Sequence, residues 1–306
     1  MEQAYDHTVN GIITGTGHGT LRDGPGWRSI VYFKGCNFTC LWCGSPDTWS
    51  TGPEIMFFPD RVKYAARLAA SCPAGALNLQ SSGGLILDRG PCRACPSHDC
   101  VRTCVDGSME LSGYPATVGG IINEILPCQR AHAHYGVTLS GGEATLQWDF
   151  YLELLKACRA HGLHTAVETN GSHPRLAQSF PLLDLVICDL KHMDNAAHIK
   201  WTGQGNAAVL ENIRAAAAAP HTDLRVRIPL VPGINDVKNI DHTIAFLAPM
   251  KNNLEVEILG YHKMGVYKWK ALGRECSLNQ LPALNSGALQ KIQDKMKRAG
   301  LCVISS

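Results

Sequence analysis

Three cysteines, Cys36, Cys40 and Cys43, are spaced C-x3-C-x2-C. Thiolates are soft ligands that suit zinc or iron–sulfur clusters. A structural zinc needs four closed ligands, and no fourth Cys or His lies close by in sequence. Three thiolates on a cubic [4Fe–4S] cluster leave one iron open for chemistry, whereas a closed cluster only stores or passes electrons. A zinc knuckle, or three unrelated buried thiols, is the plainer reading of the triplet alone.

Further candidates stand where strands should end. Ser140-Gly141-Gly142-Glu143 follows an apolar run, and its two glycines allow a ligand close to the backbone. Glu168 closes the next apolar run, and Asp189-Leu190-Lys191 closes the one after. Such a set offers carboxylates to an ammonium and hydroxyls, and a cation to a carboxylate; solvated charge at strand ends is the alternative. Arg227 lies within a strand and so needs a partner, either a bound carboxylate or a structural ion pair. His262 sits beyond the last barrel strand, where a lone histidine is usually structural.

The elements that must position these residues alternate. Ser29–Phe33 reads as a buried strand, which places the cysteine triplet in the loop leaving its C-terminal end. Strands are predicted at 137–140, 165–168, 184–189, 224–228 and 254–258, with a terminal one at 301–305. Helices are predicted from Thr117 to about Ala133 and at 151–158, 209–219, 237–247 and 288–298. This is an α/β pattern with a parallel sheet and right-handed crossovers. It has too few units for a closed eight-stranded barrel, whose active site would also lie at the strand C-termini. An open six-unit partial barrel fits. Residues 7–28 are Gly-rich, with a turn at Asp23-Gly24-Pro25-Gly26. Residues 51–109 do not read as a strand–helix unit and hold Cys72, Cys92, Cys95, Cys100 and Cys104. They read as an insertion between barrel parts at 1–50 and 110–306.

Composition bounds the rest. The chain has 306 residues, 45% hydrophobic and 18% charged, enough for a large core. A net charge of +2 argues against a nucleic-acid binder. No apolar run is long enough to span a membrane, and the polar, acidic start at Met1–Asp6 is no signal peptide. Thirteen cysteines, an odd number, argue against a disulfide scaffold and for a reducing cytoplasm with metal-bound thiols. Cys128, Cys158, Cys188, Cys276 and Cys302 are scattered and read as small buried hydrophobes.

The cysteine spacing, with Trp42 before the third Cys, resembles the radical S-adenosylmethionine (SAM) superfamily. Together with Asp23-Gly24-Pro25-Gly26, Asp47-Thr48-Trp49, the Gly-Gly-Glu run, Asp189-Leu190-Lys191 and the Tyr261–Trp269 segment, it resembles the activating enzymes of glycyl radical enzymes, of the pyruvate formate-lyase activating type. The resemblance covers Asp23 to Trp269, the insertion aside. It implies a partial (β/α)6 radical SAM barrel with a ferredoxin-like iron–sulfur insertion. It implies a cluster on Cys36, Cys40 and Cys43 with SAM on the open iron. It also implies SAM contacts from Trp42, Gly142, Glu143, Glu168, Asp189, Lys191, Arg227 and His262. The implied partners are a glycyl radical enzyme as protein substrate and a flavodoxin or ferredoxin as electron donor, in an anaerobic setting. Gly44-Ser45-Pro46 departs from the relatives' His-Asn-Pro. Glu168 replaces an Asp that in the pyruvate formate-lyase activase helps form a cation site near SAM.

Many relatives carry a two-cluster ferredoxin domain at the insertion. Bacterial ferredoxins use two cysteine runs, and the fourth Cys of each ligates the other cluster. The second run is present as Cys92, Cys95, Cys100 and Cys104. The first keeps only Cys72, with Val62, Ala65 and Leu68 where three cysteines would stand. Crossed ligation then predicts one auxiliary [4Fe–4S] cluster on Cys72, Cys92, Cys95 and Cys100, leaving Cys104 a free thiol. The uncrossed alternative exchanges Cys104 for Cys72, and zinc on four of these sulfurs is a further one.

Overall fold

A computed structural model describes residues 5–130, 132 and 134–304. Met1–Ala4, Ala131, Ala133, Ser305 and Ser306 lie outside the described residues, so the expectations for the extreme N-terminus and the last strand end go untested, whereas the helix expected to reach about Ala133 already ends at Gln129.

The strands run in chain order. β1 (Asn10–Thr20) and β2 (Arg28–Phe33) come first. β3 (Glu54–Phe57), β4 (Leu77–Leu79), β5 (Leu85–Leu87) and β6 (Met109–Ser112) follow. After β7 (Tyr114–Thr117), the chain alternates with helices through β8 (Gly136–Gly141), β9 (His164–Thr169) and β10 (Leu185–Asp189). β11 (Asp223–Leu230), β12 (Glu255–Gly260) and β13 (Cys302–Ile304) complete the set.

Nine strands form one sheet in the order β13-β12-β11-β10-β9-β8-β2-β1-β7. From β2 through β8 to β13 every neighbouring pair is parallel. These are the six barrel units and the terminal strand the periodicity predicts, and β7 and β13 are left as edges of an open barrel. β-branched and aliphatic residues explain the strands. Val31, Leu139, Val167 and Val186 lie side by side across four strands, all fully buried. Each such burial contributes about 1.5–3 kcal/mol.

Three elements escape the periodicity. β1 pairs antiparallel with β2 although Gly11, Gly15, Gly17 and Gly19 fall in it. β7 pairs with β1 despite Pro115, which an edge strand tolerates. A helix at Asn195–Thr202, capped by Asp194, follows β10.

Residues between β2 and β7 build a second, smaller core from Ile55, Phe57, Leu68, Leu77, Leu85 and Met109, with Cys92 and Cys100 buried in it. β3 and β6 pair antiparallel and close this segment at its base. Val62 and Ala65 pack against the same core. Val62 is not in helical register with them, however: it lies in extended backbone before the short helix Ala65–Ala70.

Candidate active site

β2 ends at Phe33, and the loop beyond it carries the three cysteines. The turn is pinned by its own backbone: the Gly35 amide donates to Thr48 O at 2.8 Å, and the Cys43 amide to Cys40 O at 3.0 Å. The helix at Asn195–Thr202 props it from the side, since the Thr39 amide donates to Thr202 O at 2.8 Å and the Leu41 amide to Trp201 O at 3.1 Å. The segment after β12 props it from above. Trp269 Nε1 donates to Cys43 O at 2.9 Å, and Trp269 packs edge-on against Trp49. Gly265 is required there, because a Cβ would stand 2.3 Å from Gly44 O. Lys268 and Ser112 hold the Asp47 carboxylate at 3.0 and 3.1 Å.

The loop faces a cavity of about 360 Å³ at the C-terminal ends of the parallel strands. Cys36, Cys40 and Cys43 line it, and so do Trp42, Gly142, Glu168, Asp189, Lys191, Arg227 and His262. Strand register brings the charged members together: Asp189 lies opposite Arg227, and Arg227 opposite Glu257. Lys191 is buried and paired to Asp189 at 2.6 Å. Burial alone would lower the Lys191 pKa, but Asp189 and the Cys40 thiolate outweigh it and raise the net value. Arg227 is held by three carboxylates: Glu257 at 2.7 Å, Asp23 at 3.0 Å, and Glu168. Its need for a partner is therefore met inside the protein. Glu168 also accepts from the Ser140 hydroxyl. Burial pushes the Glu168 carboxyl up to about 7, against the opposing pull of Arg227.

Glu143 is placed apart from the other expected SAM contacts. It does not line the cavity. Its fully buried carboxylate accepts from Thr145 Oγ1 at 2.5 Å, Thr169 Oγ1 at 2.8 Å and the Asn170 amide at 2.7 Å. It is a brace between the loops after β8 and β9, and what the motif offers the cavity is the backbone of Gly141 and Gly142. A Cβ on Gly142 would stand 2.2 Å from Gly35 O, so the two loops touch only because that residue is glycine.

Sequence reasoning missed Asn170, Ser45, Thr48 and Trp49, which also line the cavity. Asn170 is tied to the cysteine loop, its amide donating to Asn37 Oδ1 at 2.9 Å and lying 3.9 Å from Cys36 Sγ. The Glu168-Thr169-Asn170-Gly171 run at the end of β9 was the available signal.

The thiols fit an iron–sulfur cluster. Burial pushes Cys36 and Cys40 up to about 12 and raises Cys43 as well, so cluster loading must displace protons. Backbone amides of Phe38 and Ser45 donate to Cys36 and Cys43 Sγ, each at 3.4 Å. Among the described residues no three Cys, His, Asp or Glu side chains could hold a single metal ion.

Residues 96–247 match the Radical SAM superfamily model, and residues 22–84 match a 4Fe-4S single cluster domain. The chain is 33% identical to the 4-hydroxyphenylacetate decarboxylase activating enzyme of Clostridioides difficile (strain 630), over 94% of this chain and 93% of that protein. It is 32% identical to the isethionate sulfite-lyase activating enzyme of Desulfovibrio desulfuricans, over 94% of each chain. With the (2S)-3-sulfopropanediol sulfolyase activating enzyme of Bilophila wadsworthia it shares 36% over 91% of this chain and 94% of that one. The chain belongs to the radical SAM activating enzymes of glycyl radical enzymes. An activating enzyme of this family uses a [4Fe–4S] cluster and SAM. No described helix of this one is long and apolar enough to cross a membrane.

Four of the activating enzyme's other cysteines, Cys72, Cys92, Cys100 and Cys104, lie in or against the small core. Burial, and then the charges of Cys72, Cys92 and Cys95, push the Cys100 thiol up to about 11. Cys92 is raised by burial too, and Cys72 and Cys95 add to it while Arg89 opposes. Cys104 is turned elsewhere. Its thiol donates to Asp106 Oδ1 at 3.2 Å and accepts from the Met109 amide at 3.3 Å.

Proposed function

We propose that this activating enzyme holds its catalytic cluster on Cys36, Cys40 and Cys43 and binds SAM across the cavity between that loop and β8 to β12. The observation that carries the reading is the convergence of the three thiols, the Gly141–Gly142 backbone, Asp189–Lys191 and His262 on one cavity. Held on Cys36, Cys40 and Cys43, the cluster would supply the electron for reductive cleavage of SAM, and with it the means to take a hydrogen atom from a glycine of the partner enzyme. The protein's own residues position and shield. Lys191 offers its ammonium to the SAM carboxylate and Asp189 accepts from hydroxyls or the ammonium. Gly142 lets the ligand approach the backbone, and Trp42 and His262 close the cavity walls. Arg227 acts as a fixed floor, its charge met by Glu257 and Asp23, with Glu168 bonded to it as well.

The same reading assigns one auxiliary [4Fe–4S] cluster to Cys72, Cys92, Cys95 and Cys100. The mutual influence of these thiols supports it, and so does the engagement of Cys104 with Asp106 and Met109. A flavodoxin or ferredoxin fits as donor, since a low-potential electron must reach the cavity from outside.

The test is anaerobic incubation of the reconstituted enzyme with SAM, a reductant and a glycyl radical enzyme. 5′-Deoxyadenosine and a glycyl radical signal are expected. The Cys40→Ala variant should give neither, with its iron content reduced by about one cluster. Deoxyadenosine formed during turnover of a small molecule, with no protein partner, would replace this reading by a small-molecule radical enzyme.

A further inference from the structure

Arg89 lies in the short helix Arg89–Arg93, one turn before Cys92. Its guanidinium spans two elements that are far apart in sequence. One N–H group donates to Ile55 O in β3, at the base of the insertion, and another to Ala271 O. Ala271 ends the helix Val266–Ala271. The same helix carries Trp269, whose indole donates to Cys43 O at 2.9 Å. A single side chain thus joins the Cys92 helix to the element that pins a ligand of the SAM cluster.

Its charge is also unspent. Arg89 forms no ion pair with a carboxylate among the described residues; the nearby Glu54 is taken by Arg274 at 2.7 Å and Lys34 at 3.4 Å. Arg89 and Cys92 line one cleft of about 400 Å³ between the insertion and the barrel, with Arg93, His98 and Arg274. Arginine stays protonated even when partly buried. A cluster held by four thiolates is anionic and gains one more negative charge on reduction, so a fixed cation beside one thiolate favours the reduced form.

We propose that Arg89 is a positioning residue for electron delivery: it locks the insertion onto the helix Val266–Ala271 and, through its charge beside Cys92, raises the reduction potential of the auxiliary cluster. This rests on the auxiliary cluster proposed above. Potentials are tuned by net charge and by groups around the ligands, and Arg89 supplies both from one side chain.

The experiment is a redox titration of the fully reconstituted enzyme, following each cluster by its electron paramagnetic resonance signal, for the wild type, Arg89→Gln and Arg89→Lys. Arg89→Gln keeps hydrogen-bonding capacity without charge. It should make the auxiliary cluster about tenfold harder to reduce, a downward shift of about 59 mV for a one-electron couple, with the SAM cluster's potential unmoved. Arg89→Lys keeps the charge and should keep the potential. A purely structural role would shift both variants alike, and that result would overturn the proposal. So would eight iron atoms per chain with an unshifted Arg89→Gln titration. If Arg89→Gln fails to take up iron, Arg89→Met with Arg93→Met as its neighbouring control carries the same comparison. Four iron atoms in the wild type would instead sink the auxiliary cluster itself, which separates the two failures.

Discussion

Lys191 and Asp189 form a buried pair at 2.6 Å whose outer side faces the cavity. Lys191→Ala removes the cation and leaves Asp189 repelling a carboxylate ligand. SAM affinity measured by equilibrium dialysis should fall at least about tenfold, or about 1.4 kcal/mol; an unchanged affinity would make the pair structural. Glu168 makes a different prediction, because its carboxyl is raised to about 7 by burial, against Arg227. A carboxyl with a raised folded pKa binds its proton more tightly in the folded chain than in the unfolded one. Between about pH 4.5 and about pH 7 the folded state therefore carries the extra proton, so this group makes stability fall as pH rises through that window and level off above it. Denaturation of the SAM-free chain should show that slope, on the order of 3 kcal/mol in total, and Glu168→Gln should flatten it. An unaltered slope in the variant would assign the pH dependence to other groups.

At the level of elements, the insertion yields the sharpest contrast. On the auxiliary cluster proposed above, Cys72→Ala should lose about four iron atoms per chain and Cys104→Ala, whose thiol donates to Asp106, none. Iron analysis and absorption spectra of the two variants decide it, and the reverse pattern would restore the uncrossed assignment. The expected contrast comes from the cysteine spacing set against a ferredoxin's crossed ligation, and the two variants are its test. The six parallel strands were legible in the sequence: Val, Ile and Leu runs at regular spacing have few other ways to be buried. β1 was not, since four glycines give no periodicity and its pairing comes from β2 and β7 on either side. The helix Asn195–Thr202 was missed because it buries only His198 and Thr202 and shows no apolar stripe. The place of Glu143 was not legible for another reason. A motif states which residue is present, and only the fold of the loops after β8 and β9 decides that its carboxylate turns away from the cavity.

For the molecule as a whole, the open barrel and the insertion meet where β3 leaves the barrel, where Arg89 donates to Ala271 O, and in a cluster of Met56, Phe58, Ala271 and Leu272. β3 and β6 are joined in an antiparallel ladder that sets Glu54 opposite Ser112, and residues opposed in such a ladder stand only about 5 Å apart. The barrel side of this joint is occupied at once: Glu54 binds Arg274 and Lys34, and Ser112 binds Asp47. A variant with residues 55–111 replaced by a tight turn should therefore fold and hold about four iron atoms. Collapse of its far-ultraviolet circular dichroism would show that the barrel leans on the insertion for stability. A module whose two ends leave the scaffold side by side can change its interior while its contacts to Ala271 and Leu272 are kept. Val62, Ala65 and Leu68 belong to that interior, packed in or against the small core. A chain built on this plan can refit its insertion as a house changes its wiring, without moving a wall.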